Sequence, residues 1–530
     1  MMVLMRQCQG KSKECQVKYS GEDDHIHQWS RDICAGDEIG YDFVNSVLNS
    51  KSTFSGFVSH MNTLYMSNYS ETPKFMSVHS FMSWFFSWAG SMKFDFRQSV
   101  DPWCKHSPKM LAGDGTHVGV AMKYIDRDIS IEKSELEEVV TPQHKQYDRV
   151  FLPYDGCNND VIKNSRSHLR WLCQKALSEP TAPMETSEEA TRNADLLNTA
   201  EDGICQKVIQ MFLNRDYEPN LLQKLAYILN NLCKDAPLIS FFPFRFHDEL
   251  LSSLNELKQS QNVLSNLTNI KKIAPEFSDL LNVALCGSHF PDIADFIIFL
   301  IKSVQKTHES DPAYPPAEAI PNSYNPEKGI AYYFTPHGSQ IRKVPQYNIR
   351  GTNSNYDENP QHDPCSKLYP SVSKGGYSYM YLWFCPMHGH CYGFHLLPGS
   401  EGRKDPFYSM YKYLPEPPEE VFYDFGCSLS EYSLNRAPSY ARKIRFWHDI
   451  FHGFTHKCPF VYRSNRLQSL KVNTEICEQF NAFIQSIKFT GSHLKQSRFC
   501  FFLQFFIKIW NDKKTVAFEK RCHVAAASAE

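Results

Sequence analysis

The 530-residue sequence has no long hydrophobic run. Its most apolar stretch, FCFFLQFFIKIW at 499–510, contains Lys508 and falls short of the roughly 20 residues that a bilayer span needs. A buried helix is expected there, not a membrane segment. An N-terminal apolar region ending in a small-residue cleavage site is also missing, so a secretory route and a disulfide framework are not expected. The 17 cysteines should then be reduced thiols, some of them bound to metal, in a soluble intracellular protein. Net charge is nearly absent at −2, which gives no global signal for a nucleic-acid partner. Internal repeats and long low-complexity tracts are lacking. No Ser/His/Asp or Cys/His constellation stands out, so covalent nucleophilic catalysis has no evident machinery.

What is present is a globular composition, 42% hydrophobic and 14% aromatic, long enough for two to four structural units. The expected order begins with an irregular Cys/His-containing N-terminus (1–40) and a helical N-terminal region (41–108). The first part of a core (109–180) follows, then an all-helical insertion (181–310) and a Pro-rich loop (311–330). The second part of the core (331–515) and a tail (516–530) complete it. Helical periodicity in the insertion is carried by Leu221, Leu222, Leu225, Ile228, Leu229 and Leu232. The linker ahead of it, 180–202, is polar and acidic. Cys8, Cys15, His25, His27 and Cys34 are spaced loosely, which favours an irregular remnant over a zinc module.

The densest chemistry lies in 420–481. The β-prone run Val421, Phe422, Tyr423 ends on Asp424, and Glu475 and Glu478 follow about fifty residues later on a segment that reads as a helix. Upstream, KMLAGDGTHVGVAM (109–122) reads as strand, turn, strand, with Asp114 between two glycines. Each acid alone has a plain explanation: an Asx-type hairpin turn for Asp114, a solvated helix face for the glutamates. Together, carboxylates at two strand ends and on one helix are the layout of an RNase H-like α/β core. Such a core holds Mg²⁺ or Mn²⁺, two cations about 3.5–4 Å apart, for phosphoryl transfer.

Between the acids lies a His/Cys cluster. His448, His452 and His456 share a face if the segment is helical, and zinc at His452, His456 and Cys458 competes with hydrogen-bonded histidines supporting the site. GYSYMYLWF and HCYGFHLL flank CPMHG as an aromatic hairpin, which explains the Cys385, His388, His390 and Cys391 spacing better than a metal does. From 436 to 522 there are 16 Lys or Arg against 5 Asp or Glu, an excess of 11. Within that basic region Arg442, Lys443, Arg445 and Lys457 are the candidate DNA contacts, although amphipathic packing explains the first three nearly as well.

At these residues the chain resembles the Kyakuja-Dileera-Zisupton (KDZ) transposases, particularly the animal type. The matching stretches are DPWC, LAGDGTHVG, CSKLYPSVSKGGYSYMYLWFCPMHGHCYGFHLLPGSEGRKDPF, VFYDFGCSLSEYSLNRAPSY, RFWHDIFHGFTHKC and NTEICEQFNAFIQSIK through FCFFLQFFIKIW. They fall in the family's order between about residue 101 and residue 511. The resemblance implies an RNase H-like core with an acidic triad: Asp114, Asp424 and, in NTEICEQFN, Glu478 with Glu475 as the alternate. It further implies divalent-metal-dependent cleavage and strand transfer on DNA in the nucleus, and leaves a homo-oligomer open. A catalytically inactive, domesticated derivative that binds DNA or protein is the alternative. Family members commonly carry Cys-rich zinc modules ahead of the core, whereas this chain starts with scattered Cys and His and ends unlike a structured family terminus.

Overall fold

The computed structural model describes residues 24–30, 33–68, 75–92, 101–105, 107–125, 139–140, 159–178, 203–214, 218–233, 236–309, 311, 313–319, 340–342, 346–347, 378–397, 402–454, 456, 458–464 and 472–527. Cys8, Cys15, the 180–202 linker, most of the Pro-rich loop and Lys457 lie outside them. The chain is mixed α/β around a five-stranded sheet. Its middle strand is Met110–Thr116. On one side the Tyr379–Phe384 and Cys391–Leu397 hairpin continues antiparallel; on the other Glu420–Tyr423 and then Arg445–Trp447 run parallel to it.

Side chains on a strand alternate between faces, and here both faces are covered. Leu111, Tyr381, Trp383, Val421, Tyr423 and Phe446 pack with the helical insertion and the Lys404–Tyr413 and Gly426–Arg436 helices. Ala112, Met380, Leu382, Phe384, Phe422 and Trp447 pack on the other face. There they meet the N-terminal helices Asp37–Ser50, Phe54–Asn68 and Val78–Ser91 and the C-terminal helices Ile476–Ile484 and Gln496–Ala527. Burial on both faces is why YMYLWF reads as a continuous aromatic run without alternation. In the insertion, the helix Pro219–Leu232 places Pro219 at its first position, where the missing N–H costs nothing, and buries the Leu221, Leu225, Ile228, Leu229, Leu232 stripe.

Three local expectations change. The GDG stretch does not turn: Met110–Thr116 is one unbroken strand. Gly113 faces Trp383 across the ladder, and a Cβ there would sit 2.0 Å from the Tyr381 hydroxyl oxygen and 2.5 Å from the Trp383 ring. Glycine here makes room for aromatic rings. Near the N-terminus, Ile26–Gln28 pairs with Cys34–Gly36 and the first helix begins at Asp37, so the helical region starts inside the stretch expected to be irregular. At the other end, the 499–510 helix is buried as expected but continues unbroken through the expected tail to Ala527. Among the described residues no helix is long and apolar enough to cross a membrane.

Candidate metal centre

Register brings the first two acids together. In the parallel ladder Phe422 pairs with Ala112 and Tyr423 with Gly113; one residue further on each chain are Asp424 and Asp114. By alternation both carboxylates lie on the face that carries Ala112 and Phe422, against the Ile476–Ile484 helix. Asp114 Oδ1 accepts the Gly115 N–H at 2.8 Å, and Oδ2 accepts from Asn481 Nδ2 at 2.8 Å. Asp114 is thus held from the strand and from the helix at once.

A third carboxylate arrives from the next parallel strand. Arg445–Trp447 is followed by His448 and Asp449. Asp449 caps a turn by accepting the His452 N–H, and the Gly453 N–H bonds its carbonyl at 3.1 Å. The turn aims His452 Nδ1 between two acids, 3.1 Å from Asp424 Oδ1 and 2.6 Å from Asp449 Oδ2. Hydrogen bonds to Asp424 and then to Asp449 raise the His452 imidazole to about 10, so it is a cation at neutral pH. Burial pushes the Asp424 carboxyl upward against the pull of His452. For Asp449 burial acts in the same upward sense, but the hydrogen bonds from His452 and Asp424 prevail and hold it below the usual carboxylate value. The buried Cys477 thiol on the facing helix is pushed well above its usual value, first by burial and then by the charges of Asp114, Asp424 and Asp449. Asp424, Asp449 and His452 bring their ligand atoms within 4.8 Å of one another, and Asp114 adjoins them on the neighbouring strand. Their hard oxygens suit Mg²⁺ or Mn²⁺, and the imidazolium lies where positive charge is needed.

A second group sits behind the first, toward the opposite face. Cys427, His448, His456 and Cys458 each bring one ligand atom within 4.8 Å of the others. His448 Nδ1 donates to the Asp424 carbonyl at 2.8 Å, which turns Nε2 toward Cys458 Sγ at 2.9 Å. The His456 ring lies 3.8 Å from the His448 ring, and its buried Nδ1 has no hydrogen-bond partner among the described residues. Cys427 comes from the start of the Gly426–Arg436 helix. A Cβ on Gly426 would lie 2.4 Å from the Trp447 carbonyl, so glycine lets that helix approach the strand closely.

The expected sites are therefore partly regrouped. Asp114 and Asp424 are brought together. Glu478 and Glu475 are exposed, on the first turn of the helix and at its N-cap, and from this helix it is Asn481 that bonds Asp114. The expected zinc set is corrected: His456 and Cys458 gather with His448 and Cys427, while His452 joins the acids. The reason is that 448–454 is not helical; the Asp449-capped turn and Gly453 break it, and i, i+4 spacing no longer means one face. Of the candidate DNA contacts, Lys457 lies outside the described residues and the other three bond within the chain. Arg445 is buried, stacks 4.3 Å over Trp447 and donates to the Ile273 carbonyl. Arg442 donates to the His308 carbonyl at 2.6 Å, and Lys443 to the Tyr314 hydroxyl at 3.2 Å. These cations fasten the helical insertion and the following loop to the sheet. His25, His27 and Cys34 belong to no metal-ligand group among the described residues; His27 Nε2 bonds the Ser87 hydroxyl at 2.9 Å. No protein-family model, no curated protein and no solved structure matches the sequence.

Asp449 and Asn481 were missed by sequence reasoning, though signals existed. RFW followed by His-Asp repeats the pattern of VFY followed by Asp. Asn481 lies four residues beyond Cys477, on the same apolar stripe of the helix.

Proposed function

We propose that the chain is a transposase-like protein of the KDZ type, with an RNase H-like core, acting in the nucleus on DNA by divalent-metal-dependent cleavage and strand transfer. The observation that carries this reading is the register that sets Asp114 beside Asp424, on strands separated in sequence by the whole helical insertion. The mixed five-stranded sheet, with Asp114 in its middle strand, Asp424 just past the next strand and a helix packed against them, supports it. Asp114, Asp424 and Asp449 would hold Mg²⁺ or Mn²⁺; Glu478, one turn from Asn481, is the family's third member by resemblance. The cations supply activation of water or a DNA 3′-hydroxyl and neutralise charge at the leaving oxygen.

The chain's own side chains do the rest. Asn481 orients Asp114, and His452 holds a proton between Asp424 and Asp449, a charge that a bound divalent cation would replace. A tetrahedral zinc at Cys427, His448, His456 and Cys458 fits the two sulfurs and two imidazoles. It would fix the Asp424 backbone through His448 Nδ1, the outer-shell support metal sites commonly use. Phe451 and Phe454, each 68% exposed beside His452, offer faces for unpaired bases. Lys513, Lys520 and Arg521 on the exposed end of the last helix offer charge for phosphates.

A second reading, a non-catalytic derivative that binds DNA or protein, is favoured by one feature: the helix presents Asn481, not an acid, to Asp114. Nicking of DNA bearing terminal repeats, with Mn²⁺, separates the two. Wild type should nick while Asp114→Ala and Asp424→Ala fall by at least about a hundredfold. Equal nicking by all three sinks the acidic site, and no nicking by wild type leaves the binding derivative.

A further inference from the structure

A separate cluster lies at the hairpin tip, beyond Phe384 and three residues past Leu382, the partner of Asp114 in the ladder. The segment Asp101-Pro102-Trp103-Cys104 and the hairpin tip Cys385-Pro386-Met387-His388 meet there, nearly three hundred residues apart in sequence. Each contributes two donors three residues apart. The tip reverses tightly: the Gly389 N–H bonds the Cys385 carbonyl at 2.7 Å, the Cys385 N–H bonds the His390 carbonyl at 2.8 Å, and Gly389 takes φ +80°. That turn brings Cys385 Sγ and His388 Nδ1 to 3.4 Å.

Three groups then converge on one ring nitrogen. His388 Nδ1 is 2.9 Å from Asp101 Oδ2, 3.4 Å from Cys104 Sγ and 3.4 Å from Cys385 Sγ, and the two sulfurs are 3.8 Å apart. A ring nitrogen carries one hydrogen or one lone pair, so hydrogen bonding accounts for one of these neighbours and not for three. Four donors facing a common centre at such separations are what ligands at about 2.0–2.3 Å from a tetrahedral ion produce. The outer shell is built as well. Asp101 is fully buried, and its Oδ1 accepts the Trp103 and Cys104 N–H groups at 2.9 and 3.1 Å, which aims Oδ2 inward. Trp103 and Phe518, from the last helix, cover the His388 ring at 4.9 and 4.6 Å.

We infer that Asp101, Cys104, Cys385 and His388 form a structural zinc site that clamps the chain entering the middle strand, the hairpin tip and the C-terminal helix to one another. Two thiolates with one imidazole and one carboxylate select zinc over Mg²⁺ or Mn²⁺, and four protein ligands leave no open position for a substrate. This site shares no residue with the acidic group.

Zinc content of the full-length chain tests it, with the Cys427/Cys458 group removed to isolate the signal. The Cys427→Ser, Cys458→Ser protein should hold one zinc per chain, and adding Cys104→Ser and Cys385→Ser should take this to zero. One zinc retained by the four-cysteine variant overturns the inference, as does none in the folded two-cysteine variant. Wild type gives a readout that needs no variant: Cys104 should resist alkylation until a chelator is added. Equal alkylation with and without chelator overturns the assignment.

Discussion

Replacing His452 with glutamine removes the one cation placed between Asp424 and Asp449, and the cost can be worked from its titration. The imidazole moves from roughly 6.5 in the unfolded chain to about 10 in the folded protein. At full strength that corresponds to about 5 kcal/mol. The ring is only partly buried and solvent screens the pair, so about 2 kcal/mol is the expected loss for His452→Gln near neutral pH. The sign follows from a raised folded value. The stabilisation is complete below the unfolded value and disappears as pH climbs through about 10. Urea unfolding of both proteins, without added divalent cation, reads it: the deficit should be full at about pH 6 and gone by about pH 11. Mn²⁺ should then restore His452→Gln more than it stabilises wild type, because a divalent ion takes over the charge that the imidazolium supplied. Equal stability of the two proteins near neutrality, or a deficit that persists at high pH, would refute the arrangement.

Other perturbations probe different parts of the fold. Burial holds His247 and His390 down at about 4 and His395 at about 3. Their folded values are depressed, so the stability tied to the neutral rings is present above pH 6.5 and lost as pH falls toward 4. Roughly 2 kcal/mol each should be gone by about pH 5 in chemical denaturation, and an acid-insensitive midpoint would contradict it. Gly113→Ala forces a methyl against Tyr381 and Trp383 and should cost about 1–3 kcal/mol in thermal unfolding. Asn481→Asp adds a carboxylate beside Asp114. It should tighten Mn²⁺ binding about tenfold while lowering metal-free stability by about 1 kcal/mol.

The hairpin and the Val421–Tyr423 strand were legible because they are aromatic runs bounded by turn residues, and Asp424 closes the latter; the Arg445–Trp447 strand was not anticipated. Asp449 was hidden by its neighbours: the three histidines at i, i+4 and i+8 drew attention as one face of a helix if the segment were helical, and the Asp449-capped turn shows that it is not. Glu478 looked plausible from its spacing to Glu475, but the helix points by its apolar stripe. Ile476, Cys477, Phe480 and Ile484 are buried, which swings Asn481 toward the sheet and leaves both glutamates outside. The basic residues at 442–445 have a use within the fold that composition does not reveal. Long cationic side chains can cover apolar surface and reach carbonyls of another element, and a charge count does not separate that use from a phosphate contact. The Asp101 and Cys104 pair meets Cys385 and His388 only through the fold. Each half alone is a two-donor motif of low specificity.

The central claim is that Asp114 and Asp424 serve one divalent-cation site. Calorimetric titration of Mn²⁺ into wild type, Asp114→Ala, Asp424→Ala and the double variant tests it most directly. Each single change should weaken binding by at least about tenfold, and the double variant should be little worse than either, because both side chains hold the same ions. Unchanged binding in either single variant, or losses that simply add in the double, would contradict the account.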